Sequence, residues 1–177
     1  MTKPGLLQRG PGEFVLMHEV HFIRPNLDLV RLPLIVLDND VVLAPITDGG
    51  SKPWAVQWLV GGALDEGAIA YITHDGLYRF RHVWTSGRKR MIDREEADKI
   101  LLEGLVALGM DATKRTLIYE GVRLGGAAVW DARPACDIDR LTLANCLPDF
   151  APLTMFAVPS FNERVNALSS KRLGYAF

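Results

Sequence analysis

The chain has 177 residues, of which 49% are hydrophobic and 23% are charged, and these values are ordinary for one globular domain with a single core. The net charge of −1 excludes a whole-chain electrostatic attraction to nucleic acid or to an anionic membrane surface. Because no apolar run approaches the roughly 20 residues that a membrane-spanning helix needs, we expect no membrane span.

The first third of the chain is predicted to contain strands. Residues 1–12 hold two prolines and three glycines and are expected to form an irregular N-terminal arm without the apolar core of a secretory signal. Runs rich in Val, Ile, Leu and Phe follow at residues 13–23 and 27–38, and a shorter run lies at 37–45. These runs predict three strands in a small antiparallel meander, with the second strand at an edge or broken at Pro33.

The middle of the chain has helical spacing. The predicted helices cover residues 53–62, 66–80, 93–109 and 111–130. The third is the clearest, because Asp93 is suited to an N-cap with Glu96 three residues on, and Gly109 is suited to the end. We therefore predict an α+β fold, in which residues 13–130 form a small antiparallel sheet packed beside a cluster of three to four helices.

The last 47 residues, 131–177, contain four prolines and no sustained period, yet they are too apolar for ordinary disorder. We predict an extended C-terminal arm that docks on its own domain or on a neighbouring subunit. The two cysteines, Cys136 and Cys146, lack a zinc spacing and are too few for a disulfide scaffold. We expect two reduced thiols, and a single bridge that closes this loop remains the alternative.

Several polar residues are candidates for a functional site. His74 and Asp75 are adjacent within the apolar, aromatic stretch AYITHDGLYRF, residues 70–80. Arg94 and Asp98 are one helical turn apart and can face the same way. The remaining candidates, Asp48 and Ser51, lie in a strand-to-helix turn at residues 46–53.

Three interpretations of these residues are open. In the first, Asp48, His74, Asp75 and Asp98 are hypothetical ligands of a hard divalent metal ion. In the second, His74 is a general base that a carboxylate orients, with Ser51 as the nucleophile. In the third, the residues form a satisfied polar network that ties helices together, in which Arg94 pairs with Asp75.

A basic segment, residues 79–91, surrounds a Ser-Gly pair. Its cationic and imidazole side chains belong to Arg79, Arg81, His82, Arg88, Lys89 and Arg90. We expect a solvated loop between two helices. The alternative is a local contact with an anion, such as a phosphate, a glycan carboxylate or an acidic neighbour.

Four linked motifs, TDGGSKP, HDGLY, REEAD and YEGVRLGG, together with Trp130, resemble a small family found mainly in bacteriophages and prophages. The family is catalogued as domain of unknown function 1353, and the resemblance covers roughly residues 35–130. The turn carries Gly49 where the family usually has a bulky aromatic residue. The positions that match are Asp48, Ser51, Pro53, His74, Asp75, Leu77, Tyr78, Arg94, Ala97, Asp98, Tyr119 and Arg123.

The resemblance implies a phage origin. We therefore expect a virion-associated structural or accessory protein of the tail or baseplate type, made in the host cytoplasm and incorporated in the virion. Residues 131–177 would contact other phage structural proteins or copies of the chain itself. The alternative is a small phage hydrolase, metal-dependent or Ser/His-based, that acts on peptidoglycan or on a nucleotide.

Overall fold

The structure, a computed structural model, describes residues 6–10, 13–32, 35–36, 42–47, 66–132, 134–136 and 150–152. The strands in these residues are β1 (Leu6–Gly10), β2 (Glu13–Leu16), β3 (Val20–Ile23), β4 (Leu29–Leu32), β5 (Ile35–Val36), β6 (Val42–Thr47), β7 (His82–Thr85), β8 (Arg88–Met91) and β9 (Phe150–Pro152). The helices are α1 (Ala68–Phe80), α2 (Arg94–Ala107) and α3 (Ala112–Asp131). The predicted α+β class is confirmed.

The described strands form two antiparallel sheets. In the first sheet the order is β1-β2-β6-β5, and β9 also pairs with β6. In the second sheet the order is β3-β4-β7-β8. Strand β3 alternates buried and exposed residues, with Val20 and Phe22 directed inwards, so one face of the second sheet is available to the helices.

The predicted meander is wrong, because both long apolar runs divide between the two sheets. The run 13–23 bends at Met17 and His18, so that β2 pairs with β6 while β3 pairs with β4. The run 27–38 is divided likewise, since β4 pairs with β3 and β7 whereas β5 pairs with β6. Composition predicts extended backbone for each run, but it does not reveal a change of partner halfway along.

Two further expectations need correction. The N-terminal arm is not wholly irregular, since β1 lies within it and pairs with β2. The basic segment is not a loop, since β7 and β8 form a hairpin. Its two turn residues, Ser86 and Gly87, have φ values of 49° and 75°, and two positive φ values are typical of the tight turn that suits the twist of a hairpin.

Helix limits agree closely with those predicted for the segments 66–80, 93–109 and 111–130. The Asp93 side chain accepts a hydrogen bond from the backbone nitrogen of Glu96, as its N-cap position predicts. Gly109 follows α2 with a φ of 75°, a conformation that glycine adopts without strain. The predicted helix 53–62 lies outside the described residues.

Among the described residues, two clusters of buried side chains lie in the core. One joins the second sheet to α1 and α2 through residues such as Phe22, Val30 and Leu77. The other lies among the three helices and includes Leu105 and Ile118. Helices α1 and α2 are therefore fixed on both sides, and they carry the candidate site.

After α3, which ends at Asp131, the structure describes residues 132, 134–136 and 150–152. Cys136 is buried and disulfide-bonded, which corrects the expectation of reduced thiols; Cys146 lies outside the described residues. Strand β9 pairs with β6, with Phe150 opposite Pro45, so this short part of the predicted arm joins the first sheet of its own chain.

Candidate functional site

Helix α1 places His74 and Tyr78 on the same face. The two residues are four apart, and this spacing brings side chains together on a helix. Their ring centroids are 4.3 Å apart with the planes tilted by 49°. Only 10% of the His74 side chain is exposed. The spacing of His74 and Tyr78 on α1 therefore places an imidazole and a phenol side by side, and both face α2.

Helix α2 supplies the carboxylate that these rings contact. Asp98 lies one turn after Arg94, and its surface is 0% exposed. A buried carboxylate is costly unless it is paired and hydrogen-bonded. Four side-chain contacts of Asp98 offset that cost.

Each carboxylate oxygen of Asp98 contacts two nitrogen or oxygen atoms of other side chains. Oδ1 is 2.9 Å from His74 Nε2 and 2.7 Å from the Tyr78 hydroxyl. Oδ2 accepts hydrogen bonds from guanidinium nitrogens of Arg94, at 3.3 Å, and of Arg123, at 3.4 Å. The site thus joins one residue pair from α1, the Arg94–Asp98 pair of α2 and one arginine from α3.

The surroundings of Asp98 favour its ionised form. Burial raises the pKa of this carboxyl, but hydrogen bonds from His74 and Tyr78 and the charge of Arg94 outweigh burial, so the pKa lies below the ordinary aspartate value. Burial also raises the pKa of the Tyr78 hydroxyl, and the hydrogen bond to Asp98 raises it further. Tyr78 therefore stays protonated and donates its proton to the contact.

This electrostatic arrangement decides the tautomer of neutral His74. An ionised carboxylate only accepts hydrogen bonds, so the Nε2 atom that contacts Asp98 carries the hydrogen. In the neutral ring the other nitrogen, Nδ1, then has the lone pair. A buried carboxylate that fixes an imidazole in this way leaves a nitrogen that can accept a proton.

The structure brings together three of the six candidate site residues, His74, Arg94 and Asp98. Arg94 pairs with Asp98, whereas the structural interpretation paired it with Asp75. Asp75 is half-buried and follows His74 on α1, where successive residues diverge by about 100°. The other two candidates, Asp48 and Ser51, lie outside the described residues.

The hypothetical metal set is only partly described, because Asp48 belongs to it. In the part of the chain that the structure describes, no group of three or more His, Cys, Asp or Glu side chains is arranged to hold a metal ion. Both oxygens of Asp98 already accept hydrogen bonds from protein groups. A metal ion bound to Asp98 would have to displace some of these contacts.

Two contributors to the site were not among the candidates. Tyr78 matches a family position but was not named as a site residue; its ring packs edge-on against Trp130, with centroids 5.1 Å apart, and its hydroxyl contacts Asp98. Arg123 comes from α3, 25 residues after its partner. The spacing of Tyr78 from His74 was a usable signal, whereas no local pattern connects Arg123 to Asp98.

The basic segment contacts acidic groups of its own chain. Arg90 on β8 pairs with Asp28 at 2.7 Å and with Glu96 at 2.7 Å. Arg24 pairs with Glu96 at 2.6 Å and with Glu103 at 2.9 Å. These ion pairs join the β3–β4 turn, β8 and α2, so one arginine of the segment serves the fold.

Residues 38–122 match the model of a family described as protein of unknown function (DUF1353). These residues, just under half of the chain, are similar to that family. The match runs from the residues before β6 into α3 and includes His74, Tyr78 and Asp98.

The other comparisons add no relative. No curated protein and no solved structure matches the chain. Among the described residues, no helix combines the length and the apolar character that crossing a bilayer requires.

Proposed function

We propose that this chain is a hydrolase in which His74 acts as general base. The observation that carries the proposal is the contact of His74 Nε2 with Asp98 Oδ1, at 2.9 Å, to a carboxylate that is completely buried. This contact orients the imidazole and leaves Nδ1 as the proton acceptor. Asp98 would also stabilise the imidazolium that forms when the ring accepts a proton.

The proposed step is a hydrolysis. Nδ1 of His74 takes a proton from a water molecule while the water oxygen forms a bond to a carbonyl carbon or a phosphorus atom of the substrate. The bond from that atom to the leaving group then breaks, and the imidazolium returns its proton to the leaving group. The products contain the atoms of the substrate and one water, so no oxidant or reductant is required.

The test compares two histidine variants that keep their observed hydrogen bonds. His74→Gln retains an amide nitrogen where Nε2 donates to Asp98, but it removes the base. His82→Asn is the matched control, because His82 is also buried and its Nδ1 contacts the Phe80 carbonyl at 2.8 Å. An asparagine amide can replace that donor.

We expect His74→Gln to lower turnover by about 10²–10⁴-fold, the usual contribution of a general base, and His82→Asn to leave it nearly unchanged. The substrates are activated carboxylic and phosphate esters, peptidoglycan and nucleotide phosphodiesters, each with and without added divalent cations. Circular dichroism verifies that both variants fold. Equal rates for wild type and His74→Gln, or no turnover of any substrate by wild type, would contradict the proposal.

We further propose, as a second role, that the chain is a virion-associated component made in the host cytoplasm. An exposed aliphatic tip in the β3–β4 hairpin supports this role: Ile23 is 67% exposed and Leu27 is 80% exposed. Aliphatic side chains that project into solvent can bind a neighbouring subunit, either another phage structural protein or a second copy of the chain.

Mass spectrometry of purified particles tests the second role. A virion component is present at a fixed ratio to the major structural proteins after the particles have been washed in high salt. Absence of the chain from washed particles, with the chain found free in the lysate, would contradict this role and leave the hydrolase proposal unaffected.

A further inference from the structure

Tyr78 has contacts on three sides within the site. Its hydroxyl donates to Asp98 Oδ1 at 2.7 Å, its ring lies beside the His74 ring, and its other edge meets Trp130. Tyr78 therefore contacts both His74 and Asp98. The Tyr78 hydroxyl and His74 Nε2 contact the same oxygen, Asp98 Oδ1. Removing or moving the hydroxyl would therefore alter the position and hydrogen bonding of the oxygen that holds the His74 ring.

Gly126 on α3 gives the Tyr78 hydroxyl its space. A Cβ atom at this position would overlap the hydroxyl oxygen of Tyr78 and would lie 3.1 Å from the ring carbon that carries it. Any side chain at position 126 therefore conflicts with the present position of the tyrosine. The neighbouring Gly125 differs, since a Cβ there would meet no atom within 4 Å.

We propose that Tyr78, in the space left by Gly126, is a positioning residue that fixes the His74 ring relative to Asp98. The hydroxyl holds Oδ1 in place for Nε2, and the ring limits rotation of the imidazole from one side. The inference rests on the proposed function for its catalytic consequence. Its structural content, the orientation and tautomer of His74, can be measured without any substrate.

Three variants separate this role from packing. Tyr78→Phe removes the hydroxyl and keeps the ring, whereas Gly126→Ala keeps the hydroxyl and displaces it. Gly125→Ala is the matched control, because it makes the same change one residue earlier on the same helix. Tyr78→Phe decides the question alone if Gly126→Ala does not fold.

The first readout is nuclear magnetic resonance of the ¹⁵N-labelled histidine rings in the full chain. Wild type and Gly125→Ala should show His74 as a single Nε2–H tautomer with a slowly exchanging ring proton. Tyr78→Phe and Gly126→Ala should speed exchange of that proton and shift the ring nitrogens towards a mixture of tautomers. Unchanged His74 signals in Tyr78→Phe would overturn the inference.

The second readout is turnover of a substrate that wild type hydrolyses. We expect both test variants to lower kcat by about 10–100-fold with little change in KM, as is usual for partners that orient a reacting group. Unchanged kcat in both would also overturn the inference. If wild type hydrolyses no substrate, the proposed function fails, while the resonance experiment still decides whether Tyr78 positions His74.

Discussion

Leu27 has a φ of 69° and is 80% exposed, so its backbone is in the left-handed region without burial of the side chain as compensation. Leucine in this region costs about 1–2 kcal/mol, whereas asparagine tolerates it better. We predict that Leu27→Asn raises the free energy of unfolding by about 0.5–1 kcal/mol, and that Leu27→Val lowers it, because β-branched residues fit this region worst. Urea unfolding measures both, and equal midpoints for the two variants would contradict the prediction.

Residue spacing predicted part of the candidate site. Arg94 and Asp98 were expected to face the same way because they are one turn apart, and they do. The predicted pairing of Arg94 with Asp75 was wrong. Spacing along one helix does not determine whether an arginine reaches a carboxylate of its own helix or one of the opposing helix. Tyr78 was not named as a site residue, because a sequence does not show where a tyrosine hydroxyl points.

Helix α1 approaches β4 at a glycine. A Cβ atom at Gly76 would overlap one methyl group of Leu32 and lie 3.1 Å from the other, and Leu32 is almost completely buried. The sequence alone suggests that Gly76 only weakens the helix, since glycine costs about 1 kcal/mol relative to alanine in a helix interior. The structure supplies the compensation, which is close packing of the helix on the sheet.

We therefore predict that Gly76→Ala lowers the free energy of unfolding by about 1–3 kcal/mol despite the better helix propensity of alanine. Gly125→Ala on α3, where a Cβ meets no atom within 4 Å, should instead raise it by up to about 1 kcal/mol. Urea unfolding of both variants measures the contrast. In the double variant with Leu32→Ala, the cost of Gly76→Ala should fall, and strict additivity would contradict the proposed contact.

At the scale of elements, helices were predicted better than strands. Asp93 and Gly109 mark the ends of α2 by local chemistry that acts within one turn. The β7–β8 hairpin was missed because Arg88–Met91 has no apolar alternation, and only its Ser-Gly turn was a cue. The division of two apolar runs between sheets depends on distant partners, which no local pattern contains.

Across the whole molecule, an ionic network supplements the apolar core. Asp28 is buried in the β3–β4 turn and contacts Arg24 at 3.3 Å, Arg90 at 2.7 Å and the Thr85 hydroxyl at 2.7 Å. Arg24 and Arg90 both continue to Glu96 on α2. The network connects residues up to 79 positions apart, so in the sequence each member looks like an ordinary surface charge.

The Asp28 contacts predict a specific dependence of stability on pH. The hydrogen bond from Thr85 lowers the pKa of Asp28, burial opposes this effect, and Arg90 lowers the pKa further, so that the folded-state value lies below the ordinary one. A carboxyl with a lowered folded-state pKa stabilises the fold fully above its unfolded pKa of about 4. This stabilisation is lost as the pH falls through the lower, folded-state pKa.

We predict that Asp28→Asn lowers the free energy of unfolding by about 1–3 kcal/mol at pH 6, and that its difference from wild type shrinks at pH 2.5. Urea unfolding at both pH values measures this difference, and the other carboxylates contribute to both proteins alike. Glu66→Gln is the control, because the ion pair that Glu66 forms among the described residues, with Lys114, is exposed and worth little at either pH. A difference between Asp28→Asn and wild type that stays constant with pH would show that Asp28 stabilises the turn by shape rather than by charge.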